Sequence, residues 1–204
     1  KVIAASGATN RDVQQFFNIP PEQLHAIYDA PDPDLFPVRA EDEQSRPNRV
    51  AHRKQLLERF QIDSPFLLYA GSVRPQKNLP RLIEAFSVLR AELTKHPHYG
   101  RLKLLIIGDE ISKNPSVRLA VLHTRLEDSV RFLGFVPDDT LRVFFEAAEA
   151  FVFPSLYEGF GLAPLEAMMA GTPVVASNSS ALPEVLGDAA KFVNPENVFE
   201  ISRG

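Results

Sequence analysis

The chain has 204 residues, 45% of them hydrophobic and 24% charged, with a formal net charge of −4 and no cysteine. That length suits one well-packed domain and is short for two, and the composition is that of an ordinary globular chain. The weak negative charge gives no electrostatic reason to expect nucleic acid or an anionic membrane as partner. The missing thiols exclude disulfides, thiolate catalysis and cysteine zinc sites, and no apolar run approaches the roughly 20 residues of a membrane helix. No signal peptide is visible, and the expected location is the cytoplasm. Lys1 leads straight into a strand-like run with no methionine before it, and the chain stops at Gly204 as a helix begins. It is expected to be a fragment of a longer protein.

Taken in order, residues 2–6 predict a short strand. Residues 8–17 predict a helix with Thr9 or Asn10 as N-cap, Val13, Phe16 and Phe17 on one face, and Pro20-Pro21 as its end. Residues 24–28 predict a strand and residues 29–37 a proline-laden loop. Within that loop Asp32-Pro33-Asp34 has the D-x-D spacing of a metal-holding pair, but aspartate and proline are also ordinary turn residues, and no metal site is assigned. Residues 41–48 are polar and poor in apolar side chains, which predicts a linker. Residues 50–60 predict a helix whose basic face, Arg49, Arg53 and Lys54, is read as solvated.

Residues 66–70 form an apolar run between Pro65 and Gly71 and predict a buried strand. After it, Leu79, Leu82, Ile83, Phe86, Leu89 and Leu93 recur at helical spacing behind Asn78, a good N-cap. Arg74 and Lys77 therefore sit on a strand-to-helix loop. Two cations beside a helix start suit a diphosphate; they are equally plain surface cations. His96-Pro97-His98 reads as a surface loop rather than a metal pair. Residues 102–107 predict a buried strand ending at Gly108-Asp109, a place that lines the crevice in open α/β sheets. Residues 116–126 predict a helix carrying a structural His123. Residues 130–133 predict a strand, followed by Gly134-Phe135-Val136-Pro137. Asp138 or Asp139 then caps a helix over residues 140–148.

The most informative stretch is residues 151–173: an apolar strand Phe151-Val152-Phe153, a loop with Gly159 and Gly161, a helix over residues 162–170, and Gly171 with Pro173 as its stop. A helix start has unpaired N–H groups and the positive end of the macrodipole, so an anionic ligand, usually phosphate, is favoured there. Gly159 and Gly161 remove side chains that would hold the ligand off the backbone. Glu158 and Glu166 flank the turn. A sugar nucleotide matches both features, phosphates for the N–H groups and hydroxyls for the carboxylates, although a tight turn with two solvated glutamates would read the same way. Neither G-x-G-x-x-G nor G-x-x-x-x-G-K-[ST] is present. Strands at residues 174–177 and 190–193 bracket a short helix at 182–186. From residue 66 onward strands and helices alternate with short connections, which predicts an α/β chain with a doubly wound parallel sheet.

The run Glu158-Gly-Phe-Gly-Leu-Ala-Pro-Leu-Glu166, with the Ala-Met-Met-Ala-Gly-Thr-Pro-Val-Val-Ala-Ser that follows, resembles the E-x7-E region of the group 1 (family 4) retaining GT-B glycosyltransferases. The resemblance covers nearly the whole chain, best over residues 66–195. It implies the C-terminal, donor-binding half of a GT-B fold: residues 1–40 the tail of the N-terminal domain and the crossing between domains, residues 41–204 a Rossmann-like nucleotide-sugar-binding domain. It implies transfer of a sugar from a nucleotide-diphosphate donor with retention, and the form of the loop leans weakly to GDP-mannose.

On this reading Arg74, Lys77 and the N–H groups of Gly159, Phe160, Gly161 and Leu162 stabilise the leaving diphosphate. Glu158 binds donor-sugar hydroxyls, Glu166 the ribose, and the backbone of Gly134, Phe135 and Val136 faces the base. Glu158 is not assigned as a nucleophile. The nucleotide sugar is substrate, and neither cofactor nor metal is implied. The partners implied are a saccharide or lipid-linked acceptor and the absent N-terminal acceptor domain, without which the fragment is expected to be inactive. Peripheral membrane contact is allowed for in the whole protein. Residues 29–37 are similar to the family's N-G-V-D-x-x-x-F crossing, but Asp29-Ala30 replaces Asn-Gly, and Ala30 before Pro31 is expected to be extended. Two alternatives are a non-catalytic nucleotide-sugar-binding module of the same fold and a GT-B epimerase or phosphorylase.

Overall fold

The computed structural model describes residues 1–33, 46–108 and 114–204. Asp34, Asp109 and the expected linker residues 41–45 lie outside the described residues. The chain opens with a small parallel unit. Strand β1 (Val2–Ala4) pairs with β2 (Leu24–Ala26), and helix α1 (Gly7–Phe17) crosses between them, as parallel neighbours require. The N-cap of α1 is Ser6, whose side chain accepts from the Thr9 N–H, rather than Thr9 or Asn10. Gly7 follows the cap directly and starts the helix one residue earlier than the apolar spacing suggested. The helix ends at Asn18 in the left-handed conformation, ahead of Pro20. Phe16 and Phe17 do not pack inward: each is 72% exposed.

Helix α2 (Arg46–Arg59) begins four residues before the expected start and takes in the last part of the predicted linker. The main sheet follows: β3 (Phe66–Ala70), β4 (Lys103–Ile107), β5 (Val130–Gly134), β6 (Ala150–Phe153), β7 (Val174–Ser177) and β8 (Lys191–Val193), all parallel in the order β5-β4-β3-β6-β7-β8. The inner strands are apolar along their length because both faces are covered; Leu68, Leu104, Leu105 and Phe151 are fully buried. Between strands run α3 (Leu79–Leu93), α4 (Pro115–Thr124), α5 (Asp138–Ala147), α6 (Leu162–Met169) and α7 (Leu182–Leu186), with α8 (Val198–Arg203) packed on α3 at the end. Leu79, Leu82, Ile83 and Phe86 of α3 are buried and Leu89 and Leu93 pack at the core's margin, as their spacing required.

Two further helix starts differ from expectation. Asp138 and Asp139 do not cap α5: Pro137 holds the N-cap position and both aspartates lie in the first turn, where they complement the macrodipole. Asn78 stands at the N-cap position of α3, but its backbone is left-handed (φ 61°) and its side chain makes no cap bond. Its buried amide donates instead to the Pro154 carbonyl at 3.0 Å and the Pro195 carbonyl at 2.7 Å. One side chain thus ties the loops after β3, β6 and β8 together.

Asn78→Ala leaves two buried carbonyls without a donor and puts in the left-handed region a residue that tolerates it less well than asparagine. It is expected to lower unfolding free energy by about 3 kcal/mol in urea titration, from about 1–3 per orphaned group plus about 1 for the backbone. Asn78→Gly, which loses the same amide bonds but keeps the backbone at ease, is expected to lose less; equal losses would show that the left-handed backbone contributes nothing, and no loss in either variant would show that the amide bonds contribute nothing.

Candidate active site

The strand order is that of a doubly wound Rossmann sheet, and the order reverses between β3 and β6. Connections from these neighbours leave on opposite faces, so a crevice opens above their C-terminal ends. Both flanking loops are the ones singled out by sequence: residues 71–78 after β3 and residues 154–161 after β6.

The loops are stitched across the crevice. The Leu156 N–H donates to the Gln76 carbonyl at 2.8 Å. The Ser177 hydroxyl donates to the Ser155 carbonyl at 2.6 Å, and the Glu158 N–H donates to the Ser180 hydroxyl at 2.7 Å. Lys77 and Glu158 meet directly, Nζ to Oε1 at 2.5 Å, with side chains only 16% and 12% exposed. The Lys77 ammonium also lies 5.0 Å from the centre of the Phe153 ring, on the ring's electron-rich face. Arg74 diverges. It is exposed and lines an adjoining cleft of about 510 Å³ with Arg81, Asn114 and Leu156, and it makes no ion pair with a described residue. Sequence reasoning did not single out Arg81, whose only signal was its place in the first turn of α3, four residues after Lys77.

Gly161 forms the N-cap of α6 at φ 106°, and a β-carbon there would lie 2.6 Å from Leu182 Cδ2. The positive φ favours glycine, and any side chain would also have to displace the Leu182 methyl. Gly159 is different: a β-carbon on it would make an ordinary 3.6 Å contact with Thr9 Oγ1, so its protein surroundings tolerate a side chain. No turn or loop bond within the described residues takes the N–H of Gly159, Phe160, Gly161 or Leu162. Phe160 is buried, with its ring 6.0 Å from that of Tyr28. Ser155 Oγ is buried with no hydrogen-bond partner among the described residues. At the far end of α6, Gly171 donates to the Met168 carbonyl and Thr172 to the Ala167 carbonyl, both at 2.9 Å, a Schellman closure.

Glu166 lies on α6, half buried. It accepts no hydrogen bond from a described residue, and burial, followed by the neighbouring Asp138 carboxylate, holds its pKa above the ordinary value. Gly134 ends β5 and accepts from the Gly108 N–H at 3.0 Å; Phe135 beyond it is 86% exposed, while Val136 is buried. Gly108 leaves no space for a side chain, since a β-carbon would fall 1.9 Å from the Gly71 carbonyl oxygen. Away from the crevice, His96 Nδ1 accepts from the N–H groups of His98 and Tyr99, and His123 is exposed on α4. No cluster of three His, Asp or Glu suited to a metal occurs among the described residues.

Three residues at the crevice came from outside the predicted set: Ser6, Thr9 and Glu184. Ser6 and Thr9 donate to the Gly159 carbonyl at 2.6 and 3.0 Å. Glu184 of α7 accepts from the N–H groups of Gly7 and Ala8 and from the Tyr28 hydroxyl. Gly159 lies 150 residues beyond Thr9 in the chain, and no local pattern announces the contact.

A Rossmann-order sheet with an ion pair and a glycine-capped helix start at its switch point defines a doubly wound α/β domain with a crevice where such sheets take ligands. Residues 53–204 match the family described as Glycosyl transferases group 1, and the chain belongs to that family. It is 32% identical over 202 residues to O-antigen chain mannosyltransferase B of Escherichia coli, covering 98% of this chain and 49% of that protein. It is also 32% identical over 203 residues to the serotype-specific mannosyltransferase WbdA of Escherichia coli, covering 99% of this chain and 23% of that one. The fold matches Anabaena Alr3699/HepE, solved in complex with UDP and glucose, with a TM-score of 0.77 at 21% identity over 99% of this chain and 51% of that one. The chain therefore spans about half, or less, of the proteins it matches, and its fold is that of one half of a GT-B glycosyltransferase.

The raised pKa of Glu166 fixes a sign. Between the ordinary carboxylate value and the raised one, the folded state holds a proton that the unfolded state has released, so stability falls as pH rises through that window and stays lowered above it. Glu166→Gln is expected to raise the urea midpoint relative to the parent near pH 7 and to leave it unchanged below about pH 4. The same gain at both pH values would show that the buried charge is not the cause.

Proposed function

We propose that this chain is the donor-binding half of a retaining glycosyltransferase that takes a nucleoside-diphosphate sugar, GDP-mannose in the first instance, and transfers the sugar to a saccharide or lipid-linked acceptor. The observation that carries this reading is the Lys77–Glu158 pair at the switch point, beside a helix start whose N–H groups have no loop partner. Breaking the bond from the anomeric carbon builds positive charge on the sugar and negative charge on the diphosphate. In this reading Lys77 and the N–H groups of residues 159–162 face the leaving phosphates in a place partly shielded from water, where fixed donors act most strongly. Arg74 adds a second cation from the neighbouring cleft. Glu158, once Lys77 turns to phosphate, accepts from hydroxyls of the donor sugar. Glu166, a carboxylate short of donors, accepts from the ribose, and Gly134, Phe135 and Val136 face the base.

Membership of the family supports the reaction class. The names of the two Escherichia coli relatives support mannose, and the UDP and glucose in the Anabaena structure support a nucleotide and a sugar in this fold. In this reading residues 1–40 are the tail of an N-terminal, acceptor-binding half and the crossing between the two domains. The support is the exposed apolar side chains Ile3, Phe16, Phe17 and Ile27, which leave apolar surface uncovered in this segment.

Calorimetric titration tests the reading. GDP is expected to bind more tightly than UDP or ADP. Lys77→Ala is expected to weaken GDP by about tenfold or more while leaving guanosine unchanged, the loss typical of a charge-assisted bond. Arg74→Ala is expected to weaken it less. No nucleotide binding at millimolar concentration by folded protein, or GDP affinity untouched by Lys77→Ala, would overturn the donor site; tighter UDP binding would overturn the choice of GDP-mannose.

A further inference from the structure

We propose that Ser6 and Thr9, at the start of α1, are positioning residues for the donor loop, so that the N-terminal segment sets how the loop presents its N–H groups. The inference rests on the donor reading above and adds to it a part of the site from 150 residues away. The Ser6 hydroxyl, 0% exposed, reaches the Gly159 carbonyl at 2.6 Å, and the Thr9 hydroxyl reaches the same oxygen at 3.0 Å. A carbonyl oxygen has two lone pairs, and this one is fully engaged. Each hydroxyl has one proton to give; Ser6 Oγ also lies 3.1 Å from Thr9 Oγ1, but its contact with the Gly159 carbonyl is the shorter, and Thr9 has the same carbonyl in reach.

A trans peptide unit is planar, with its C=O and the following N–H pointing in opposite directions. Fixing the Gly159 carbonyl against α1 therefore aims the Phe160 N–H away from α1, and no described residue takes it in a loop or turn bond. The hold is reinforced on both sides. The Tyr157 hydroxyl donates to Asp12 of α1, and the Phe160 ring packs near Tyr28. In return, the Glu184 carboxylate takes the N–H groups of Gly7 and Ala8 at 2.7 and 3.1 Å and the Tyr28 hydroxyl at 2.7 Å. Glu184 lies two residues beyond Leu182, the side chain that closes on Gly161. Residues 6–28 and the loop thus fix each other through contacts at Tyr157, Gly159 and Phe160, with Glu184 closing the frame.

The clean variant is Thr9→Val, which keeps the backbone N–H that Ser6 caps and removes one donor to Gly159. Amide hydrogen exchange over residues 158–162, measured on the chain without nucleotide, is expected to speed up, and GDP affinity is expected to fall about fivefold, the effect of one neutral hydrogen bond. Guanosine affinity is expected to stay the same. Thr9→Ser, which restores the hydroxyl, is expected to recover both readouts. Ser6→Ala removes the helix cap as well and is expected to add a loss of thermal stability.

Exchange and GDP affinity both unchanged in Thr9→Val overturn the proposal, as does an equal fall in GDP and guanosine affinity. Faster exchange in the variant, with no nucleotide bound by the parent chain, would instead overturn the donor reading on which the proposal rests.

Discussion

Two neighbouring strands, β3 and β6, send their connections to opposite faces of one sheet, and everything at the crevice follows from that divergence. The backbone groups at the ends of these strands have no helix directly above them, so loops must fold over and satisfy each other. Asn78 does this from one side with a single buried amide on two carbonyls. Leu156, Ser155 and Glu158 do it from the other through Gln76, Ser177 and Ser180. The consequence is a rigid rim around an opening, the arrangement in which a few polar groups can be held ready without collapsing onto one another.

Lys77 and Glu158 show what that rigidity permits. Each is largely removed from solvent, and either alone would be an uncompensated charge, which typically costs about 3–5 kcal/mol when a partner is deleted. Together they are tolerable, and the Phe153 ring lends the ammonium a further favourable surface. A pair of this kind adds little to net stability compared with a well-packed apolar pair. Folding alone therefore gives little reason for a pair at this place, and the proposed donor site supplies one.

Much of the fold was legible because it obeys periodicity. The apolar runs at residues 66–70 and 174–177 match their strands to the residue, and α3 repeats at helical spacing with a proline in its first turn. Gly171 was readable as a helix stop because a Schellman closure calls for a left-handed residue at that place. What failed was the assignment of jobs. Asn78 was found at the right position but spends its side chain on two distant carbonyls, since its left-handed backbone turns the amide into the interior. Phe16 and Phe17 have the spacing of a buried face, yet spacing says nothing about whether an element lies opposite. The Lys77 and Glu158 positions were both visible in the sequence, but their contact was not: an ion pair between loops 81 residues apart depends on sheet order, which no local pattern encodes. Ser6 was hidden for the same reason, its hydroxyl serving a loop that follows a strand at the other end of the chain.

Under the proposed function the pair is also a placeholder. A cation waiting for phosphate in a partly dry crevice needs a counter-charge in the meantime, and a carboxylate waiting for hydroxyls needs a donor. Each meets the other's need until a ligand offering both phosphate and hydroxyls arrives. A ligand that offers phosphate but no donor sugar takes Lys77 and leaves Glu158 without its cation, so it is expected to bind less tightly than the whole donor. A sugar alone would satisfy Glu158 and leave Lys77 with only its ring face. Under that reading the Lys77–Glu158 pair favours a ligand that joins phosphate and hydroxyls covalently, and the contacts of Arg74, Glu166 and the loop N–H groups add to that preference.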